Sequence, residues 1–268
     1  MPCKVIMTDC NIAIIGAGAM GGAVADGLLR AGVHPSHIAL ANPHPARLAR
    51  FTEAGVRTYL DNRNAVGGAD LVIFAVKPWI LPDVVRELRS DMDYDRQEVT
   101  AIVAGVSCKE LCDMMKKADG KLPALSVSMP NTAVALGESM TFVVAAHGCP
   151  SRAVELFGAL GKVMEIPEKQ LGAATALASC GIAYAMRYVR AAEEGGVELG
   201  FRAADARQIV VETLRGAAAL LSRDSAHPEA EIDKVTTPGG LTIRGLNAME
   251  EAGFTASVIA GLKASQPR

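Results

Sequence analysis

Near the start of the chain, Gly16-Ala17-Gly18-Ala19-Met20-Gly21 places glycine at the first, third and sixth positions of a six-residue loop. That spacing carries chemistry in one setting: directly after a strand and at the mouth of a helix, where free N–H groups and the helix dipole hold a pyrophosphate. The flanks supply the setting. Asn11 to Ile15 reads as a buried strand and Ala19 to Ala31 as a helix. The first glycine then permits the tight turn, the second the approach of a ligand to backbone, and the third the packing of helix on strand. A glycine-rich turn in an ordinary α/β protein is the plain alternative, and the flanks weigh against it.

A dinucleotide site that prefers NAD carries an acid at the end of its second strand, where it bonds the ribose 2′-hydroxyl. Here that place reads Ala41-Asn42-Pro43-His44, and no acid occurs between Asp26 and Glu53. Nothing there repels a 2′-phosphate, whereas Asn42, His44 and Arg47 are able to bond or neutralise it, which favours NADP(H). His44 and Arg47 read equally well, one at a time, as a solvated loop and helix face.

A second set of residues lies far along the chain. Thr237-Pro238-Gly239-Gly240 precedes an apolar-periodic run from Leu241 to Ala252. It reads as a helix entrance, with Thr237 as N-cap, Pro238 early in the first turn and Gly253 just past the end. Free N–H groups at such an entrance bind an anion, and two glycines let backbone approach it closely. The plain reading of Thr237 and Thr242 is that they cap and decorate the helix start. No Ser-His-Asp, Cys-His or paired-carboxylate constellation stands beside them. His34, His37, His44, His147 and His227 fall in turns, and the six cysteines, Cys3, Cys10, Cys108, Cys112, Cys149 and Cys180, form no CxxC pair and no metal-ligand cluster. Metal is not expected, and a reduced, cytoplasmic setting is.

The elements that must position these residues fall into two halves. Strands are predicted at Asn11 to Ile15, Ile38 to Ala41, Leu71 to Ala75, Val99 to Ala104, Ala124 to Ser128, Thr141 to Ala145 and Lys162 to Ile166. Helices alternate with them at Ala19 to Ala31, Ala46 to Ala54, Ile80 to Leu88, Cys108 to Lys117 and Ser151 to Leu160. This is the βαβ pattern of a doubly wound, Rossmann-type α/β sheet. After Ile166 the strand signal ends, and Lys169 to Gly200 and Ala203 to Ser222 show helical spacing with small residues throughout. The expected organisation is therefore a dinucleotide-binding domain over 1–166 and an all-helical domain over 167–268, apolar enough to complete its core with a second copy. With 27 basic against 29 acidic residues and no run of like charge, the chain carries no nucleic-acid arm or polybasic membrane patch. The apolar stretch from Ile12 to Ala25 is too short and too glycine-rich to span a membrane.

Taken together, the glycine loop, Phe74-Ala75-Val76-Lys77-Pro78, Met129-Pro130-Asn131-Thr132 and Thr237-Pro238-Gly239-Gly240-Leu241-Thr242 resemble the pyrroline-5-carboxylate reductase family in order and spacing. The resemblance covers nearly the whole chain. It implies a Rossmann domain followed by a helical dimerisation domain, with NADPH reducing 1-pyrroline-5-carboxylate, a cyclic imine, to L-proline. It places Ala75, Val76, Lys77 and Pro78 along the nicotinamide half of the cofactor, Asn62 near the adenosine ribose, and the small pair Ala104-Gly105 beside the nicotinamide. It also implies that Thr242 orients the ring nitrogen, that Gly239, Gly240, Leu241 and Thr237 frame the substrate, and that Glu168 lies near it. Lys77 also reads as a surface cation, Asn62 and Ala104-Gly105 as turn chemistry, and Glu168 as a first-turn acid favoured by the helix dipole.

The departures from the family pattern lie in the substrate half. Where the family usually reads Gly-Ser-Gly-Pro-Ala-Tyr, this chain reads Ser179-Cys180-Gly181-Ile182-Ala183-Tyr184, and Val127 and Ala133 replace the usual arginine and proline around the Met-Pro-Asn-Thr turn. Two alternatives therefore stand beside the proline-forming reaction: an NADPH reductase of another cyclic imine or small keto acid, and a non-catalytic NADP-binding paralogue. Cys180 reads as a reactive thiol or as a small apolar residue among its neighbours.

Overall fold

The computed structural model describes residues 10–266, so Cys3 lies outside the described residues. Strands and helices alternate as β1 (Ile12–Ile15), α1 (Ala19–Arg30), β2 (Ile38–Ala41), α2 (Ala49–Glu53), β3 (Arg57–Tyr59), α3 (Asn62–Val66), β4 (Leu71–Phe74), α4 (Leu81–Leu88), β5 (Glu98–Ala101), α5 (Cys108–Met115), β6 (Ala124–Met129), β7 (Ser139–His147), α6 (Ser151–Ala159) and β8 (Gly161–Glu165). They build one eight-stranded sheet in the order β3-β2-β1-β4-β5-β6-β7-β8. Every neighbouring pair is parallel except β6 with β7.

The central strands are unbroken apolar runs, IAII, IALA and LVIF, because helices cover both faces of a parallel sheet. Alternate residues feed opposite faces. Ala13, Ile15, Val72 and Phe74 enter one apolar cluster, and Ile12, Ile14, Leu71 and Ile73 enter the other. Each fully buried Ile, Leu or Phe contributes roughly 1.5–3 kcal/mol relative to exposure, so these strands anchor everything built on their ends. The chain winds outward from β1 to β3, then crosses to β4 on the far side of β1. The reversal opens a crevice beyond the carboxyl ends of β1 and β4, where ligands bind in such sheets.

Four sequence expectations change in this half, one of them β5, which runs Glu98–Ala101 and not Val99 to Ala104, so that Ala104 lies in the loop beyond it. Strand β3, only Arg57-Thr58-Tyr59 and half-buried, has too little apolar content to stand out, and α3 is a single five-residue piece capped by Asp61, whose Oδ1 accepts from Arg63 N at 2.7 Å. The helix expected from Ala46 to Ala54 is a tight 3-10 turn at Pro45–Arg47 followed by α2. Strand β7 runs well beyond Thr141 to Ala145 at both ends, since its antiparallel and parallel partners extend it.

The chain forms two compact units, one ending at Ser179 and one of Cys180–Gln266. The first continues past the change of period at Ile166 because Ile166 and Leu171 pack on a sheet-face cluster and Ala174 is buried with Met129 and Phe142. The single helix expected from Lys169 to Gly200 is consequently broken. It comprises a 3-10 turn at Glu168–Gln170, α7 (Leu171–Ala174), a π-helical turn at Thr175–Cys180 and α8 (Gly181–Glu198). Ser179 Oγ is buried in the wide turn without a hydrogen-bond partner.

The second unit is all helix: α8, α9 (Ala203–Leu221), α10 (Pro228–Lys234), α11 (Leu241–Glu251) and α12 (Phe254–Ala264). Gly196 lets α8 and α9 approach closely, since a Cβ there would lie 2.7 Å from Ala206 Cβ. Tyr184 OH donates to Gly261 O at 3.2 Å, tying α8 to α12. Yet among the described residues of this unit only Ala206 is fully buried, and Tyr184, Tyr188, Met249, Phe254 and Val258 line an open apolar groove of about 870 Å³. The helices have an apolar face that they do not cover themselves.

Candidate cofactor and substrate site

All the cofactor candidates stand just beyond the carboxyl ends of five parallel strands. Gly16 to Met20 follow β1, Asn42 follows β2, Asn62 follows β3, Ala75 to Pro78 follow β4, and Ala104 and Gly105 follow β5. The loop after β1 shows why its glycines are needed. Gly16 sits at φ +110, and a Cβ there would meet Ala75 O at 2.6 Å. A Cβ on Gly21 would collide with Gly16 O and come within 3.0 Å of Ala75 Cβ, so the third glycine seats α1 on the strand end. Gly18 differs: the nearest atom to its Cβ position is Arg47 Nη1 at 3.7 Å, which leaves that side open to a ligand. Gly18 is the N-cap of α1 with no side-chain cap, so the first N–H groups of the helix point at the open space.

At the end of β2, Asn42 is buried and its Oδ1 accepts from His44 N at 2.9 Å, which folds the Pro43 turn and leaves Nδ2 without a partner among the described residues. The glycine loop and α2 enclose a cleft of about 610 Å³ whose charged residues are Asp26, Arg47, Arg50 and Glu53. Arg50 and Asp26, 24 positions apart, were not legible as partners in the sequence. Asn62 Nδ2 approaches Glu87 Oε2 only at 3.5 Å, a long contact that leaves the amide available. After β4, the Lys77 carbonyl accepts from Ile80 N at 2.9 Å and Leu81 N at 3.2 Å, turning the chain into α4 while the Lys77 side chain stays exposed.

Beyond β5, Gly105 adopts φ +79 with nothing within 4 Å of its Cβ position, so the Ala104-Gly105 turn presents bare backbone. Ser107 then opens α5 with a capping box to Glu110. Glu168 joins it: Oε1 accepts from Cys108 N at 2.6 Å. The dipole that Glu168 complements therefore belongs to α5 and not to the helix that follows it in sequence, because the 3-10 turn at 168–170 swings the side chain back. Burial, and then the Glu168 carboxylate, push the Cys108 thiol up to about 11, which keeps it protonated and unreactive at neutral pH.

In the second unit, Thr237 is not the N-cap. That position belongs to Gly240, and α11 begins at Leu241 without a side-chain cap. Thr237 instead closes the preceding turn, its carbonyl accepting from Gly240 N at 2.9 Å while its Oγ1 occupies the place a Gly240 Cβ would need. Pro238 accordingly lies in this turn and not in the helix, and Gly239 carries φ +68. Leu241 and Thr242 are the first two helical residues, both exposed, and Thr242 Oγ1 has no partner among the described residues. Gly253 ends α11 in the left-handed region, φ +83, as its place in the sequence leads one to expect.

A profile described as pyrroline-5-carboxylate reductase dimerisation matches residues 168–268, and one described as NADP oxidoreductase, coenzyme F420-dependent, matches residues 11–105. Pyrroline-5-carboxylate reductase 2 of Dictyostelium discoideum is 32% identical over 94% of this chain and 89% of its own length. The chain belongs to the pyrroline-5-carboxylate reductase family. Pyrroline-5-carboxylate reductase 1 of the same organism is 35% identical over 97% of this chain, which spans about half of that protein, 49%. Among solved structures, a pyrroline-5-carboxylate reductase from Coxiella burnetii superposes with a TM-score of 0.85 at 27% identity, covering 96% of each chain. The Plasmodium falciparum pyrroline carboxylate reductase with NADP bound shares the fold at a TM-score of 0.85 and 23% identity, covering 97% of this chain and 96% of that one. Ser179 and Cys180 end the π-helical turn, and Gly181 to Tyr184 open α8. The described residues hold no group of three or more metal-ligating side chains, and no helix among them is long and apolar enough to cross a membrane.

Proposed function

We propose that the protein reduces 1-pyrroline-5-carboxylate to L-proline with NADPH, as its family membership and its glycine loop support. The observation that carries the reading is the cradle at the carboxyl edge of the sheet, where Gly18 stays open and α1 presents uncapped N–H groups. The cofactor, when bound, supplies a hydride to the imine carbon; the protein supplies position and polarity. Gly16, Ala17, Gly18, Ala19 and Met20 hold the pyrophosphate, with α1 lending its dipole. Asn42 and Asn62 face the adenosine ribose, and Ala75 to Pro78 with Ala104-Gly105 line the nicotinamide half, where small side chains and bare backbone admit a ring. Glu168 holds that wall in place through Cys108 N and so acts on the site as a positioning group.

The substrate presents a carboxylate and a ring nitrogen. The uncapped entrance of α11, formed by Gly239, Gly240 and Leu241 after the Thr237 turn, offers N–H groups to the carboxylate, and the unpartnered Thr242 hydroxyl takes the nitrogen. In this reading the first unit is the cofactor domain, and the second binds substrate and dimerises. The uncovered apolar face of α8 to α12 and the dimerisation profile together favour a homodimer as the basic assembly. A cytoplasmic setting fits the five free cysteines of the described residues. Incubation of the purified protein with NADPH and pyrroline-5-carboxylate tests the proposal by the fall in reduced-nicotinamide absorbance. A rate no higher than that without enzyme, in protein that still binds NADPH, rejects it in favour of another cyclic imine or keto acid, or of a non-catalytic paralogue.

A further inference from the structure

A 2′-phosphate brings close to two negative charges into the cleft between the glycine loop and α2, and that cleft is lined by two arginines and two carboxylates. Net charge does not distinguish NADPH from NADH there; the pairing of the charges does. Arg50 is committed. Its Nη1 donates to Asp26 Oδ1 at 2.8 Å and its Nη2 to Asp26 Oδ2 at 2.7 Å, while its guanidinium carbon lies 4.2 Å from the centre of the Phe51 ring. The two parallel bonds engage both sides of the Asp26 carboxylate, and the Phe51 ring lies under the guanidinium. Arg47 is free: among the described residues it makes no ion pair or side-chain hydrogen bond, and its Nη1 lies over the open side of Gly18. Glu53, the remaining acid, is the last residue of α2, six positions after Arg47.

We propose that Arg47 is the residue that reads the cofactor's 2′-phosphate, and that Arg50 serves it by masking Asp26, so that the phosphate meets one free guanidinium and no free neighbouring carboxylate. The inference rests on the NADPH reading above and adds to it which side chain selects the cofactor and which one keeps the site permissive. Asp26 lies on α1 within the cleft; unpaired, it would repel the phosphate as the acid of an NAD site does. The two arginines, three positions apart, thus have different roles despite the same charge.

The test is calorimetric titration of the full chain with 2′,5′-ADP and with 5′-AMP, which differ only in the 2′-phosphate. The wild type binds 2′,5′-ADP more tightly. Arg47→Ala loses about ten- to hundredfold of that affinity, the worth of a charge-assisted pair, and leaves 5′-AMP binding unchanged. Arg50→Ala also weakens 2′,5′-ADP, and adding Asp26→Asn to it restores the affinity, because the carboxylate left unmasked is gone. Retention of the 2′,5′-ADP preference by Arg47→Ala overturns the assignment of the reader. A double variant that binds no better than Arg50→Ala, while circular dichroism shows both folded, overturns the masking. Since neither probe carries nicotinamide, a protein that passes this test and fails to reduce pyrroline-5-carboxylate refutes the proposed reaction alone.

Discussion

The glycine loop makes a comparison in which two substitutions of the same kind, three residues apart, have different consequences. Gly21→Ala places a methyl group in the space of the Gly16 carbonyl, with Ala75 Cβ only 3.0 Å away. Both obstacles are backbone or short side chain on buried strand ends, so they cannot swing aside, and α1 must back away from β1. Overpacking of this kind costs roughly 1–3 kcal/mol of stability. The same displacement carries the N–H groups of α1 off the pyrophosphate, and losing one charge-assisted hydrogen bond, about 1.5–3 kcal/mol, raises the Kd for NADPH about ten- to hundredfold. Gly18→Ala meets nothing closer than Arg47 Nη1 at 3.7 Å. Its methyl group projects into ligand space, so binding falls by a similar factor while the urea midpoint stays within error of wild type. The assay is NADPH fluorescence titration beside urea unfolding for the two variants. Equal stability loss in both, or NADPH binding within twofold of wild type in Gly21→Ala, would refute the reasoning that Gly18 is a ligand contact and Gly21 a packing contact.

Three further outcomes follow from particular contacts. Thr242→Ala removes an exposed hydroxyl with no partner among the described residues from the first turn of α11, so the melting temperature should hold while kcat/KM for pyrroline-5-carboxylate falls about ten- to hundredfold; unchanged turnover would remove Thr242 from the site. Glu98 is buried at the start of β5, its oxygens accepting from Ala153 N at 2.7 Å and Arg152 N at 3.0 Å, and burial outweighs these bonds and raises its pKa above the ordinary carboxylate value. A raised native pKa contributes stability below the unfolded pKa and loses it as pH rises through the native one, so the stability difference between wild type and Glu98→Gln should move against wild type as pH rises from 4 toward neutrality ~7; a pH-independent difference would contradict the sign. Sedimentation of the full chain should show a homodimer or a multiple of one if the proposed assembly through the uncovered helical face is right, and a monomer at micromolar concentration would count against it.

The parallel core of the fold was legible because its strands are continuous apolar runs and its glycine loop sits between one of them and a helix. Strand β3 escaped because Arg57-Thr58-Tyr59 is short, half-buried and held mainly by pairing to β2, a long-range contact that leaves no local pattern. The break at Thr175–Cys180 escaped because alanine-rich sequence suits α- and π-helical turns alike; packing of Leu171 and Ala174 on the first unit decides it. Thr237 looked like an N-cap because its residue type and the following proline satisfy the rule, yet the turn it closes delays the helix to Leu241. The contact Glu168 makes was not legible either: its partner, Cys108 N, is 60 positions away. Arg50 was overlooked because only the fold brings it to Asp26, across 24 positions. The glycine loop and its flanking elements follow from local rules and were legible, whereas the turn before α11 and the Glu168 contact depend on pairings that only the fold reveals.

The most direct test of the account is a stoichiometric one: NADPH oxidised and L-proline formed are measured in the same reaction mixture of the protein with pyrroline-5-carboxylate. One proline is expected for each NADPH consumed, with NADH a poorer donor. NADPH bound but not oxidised, or oxidised with no proline formed, would contradict it.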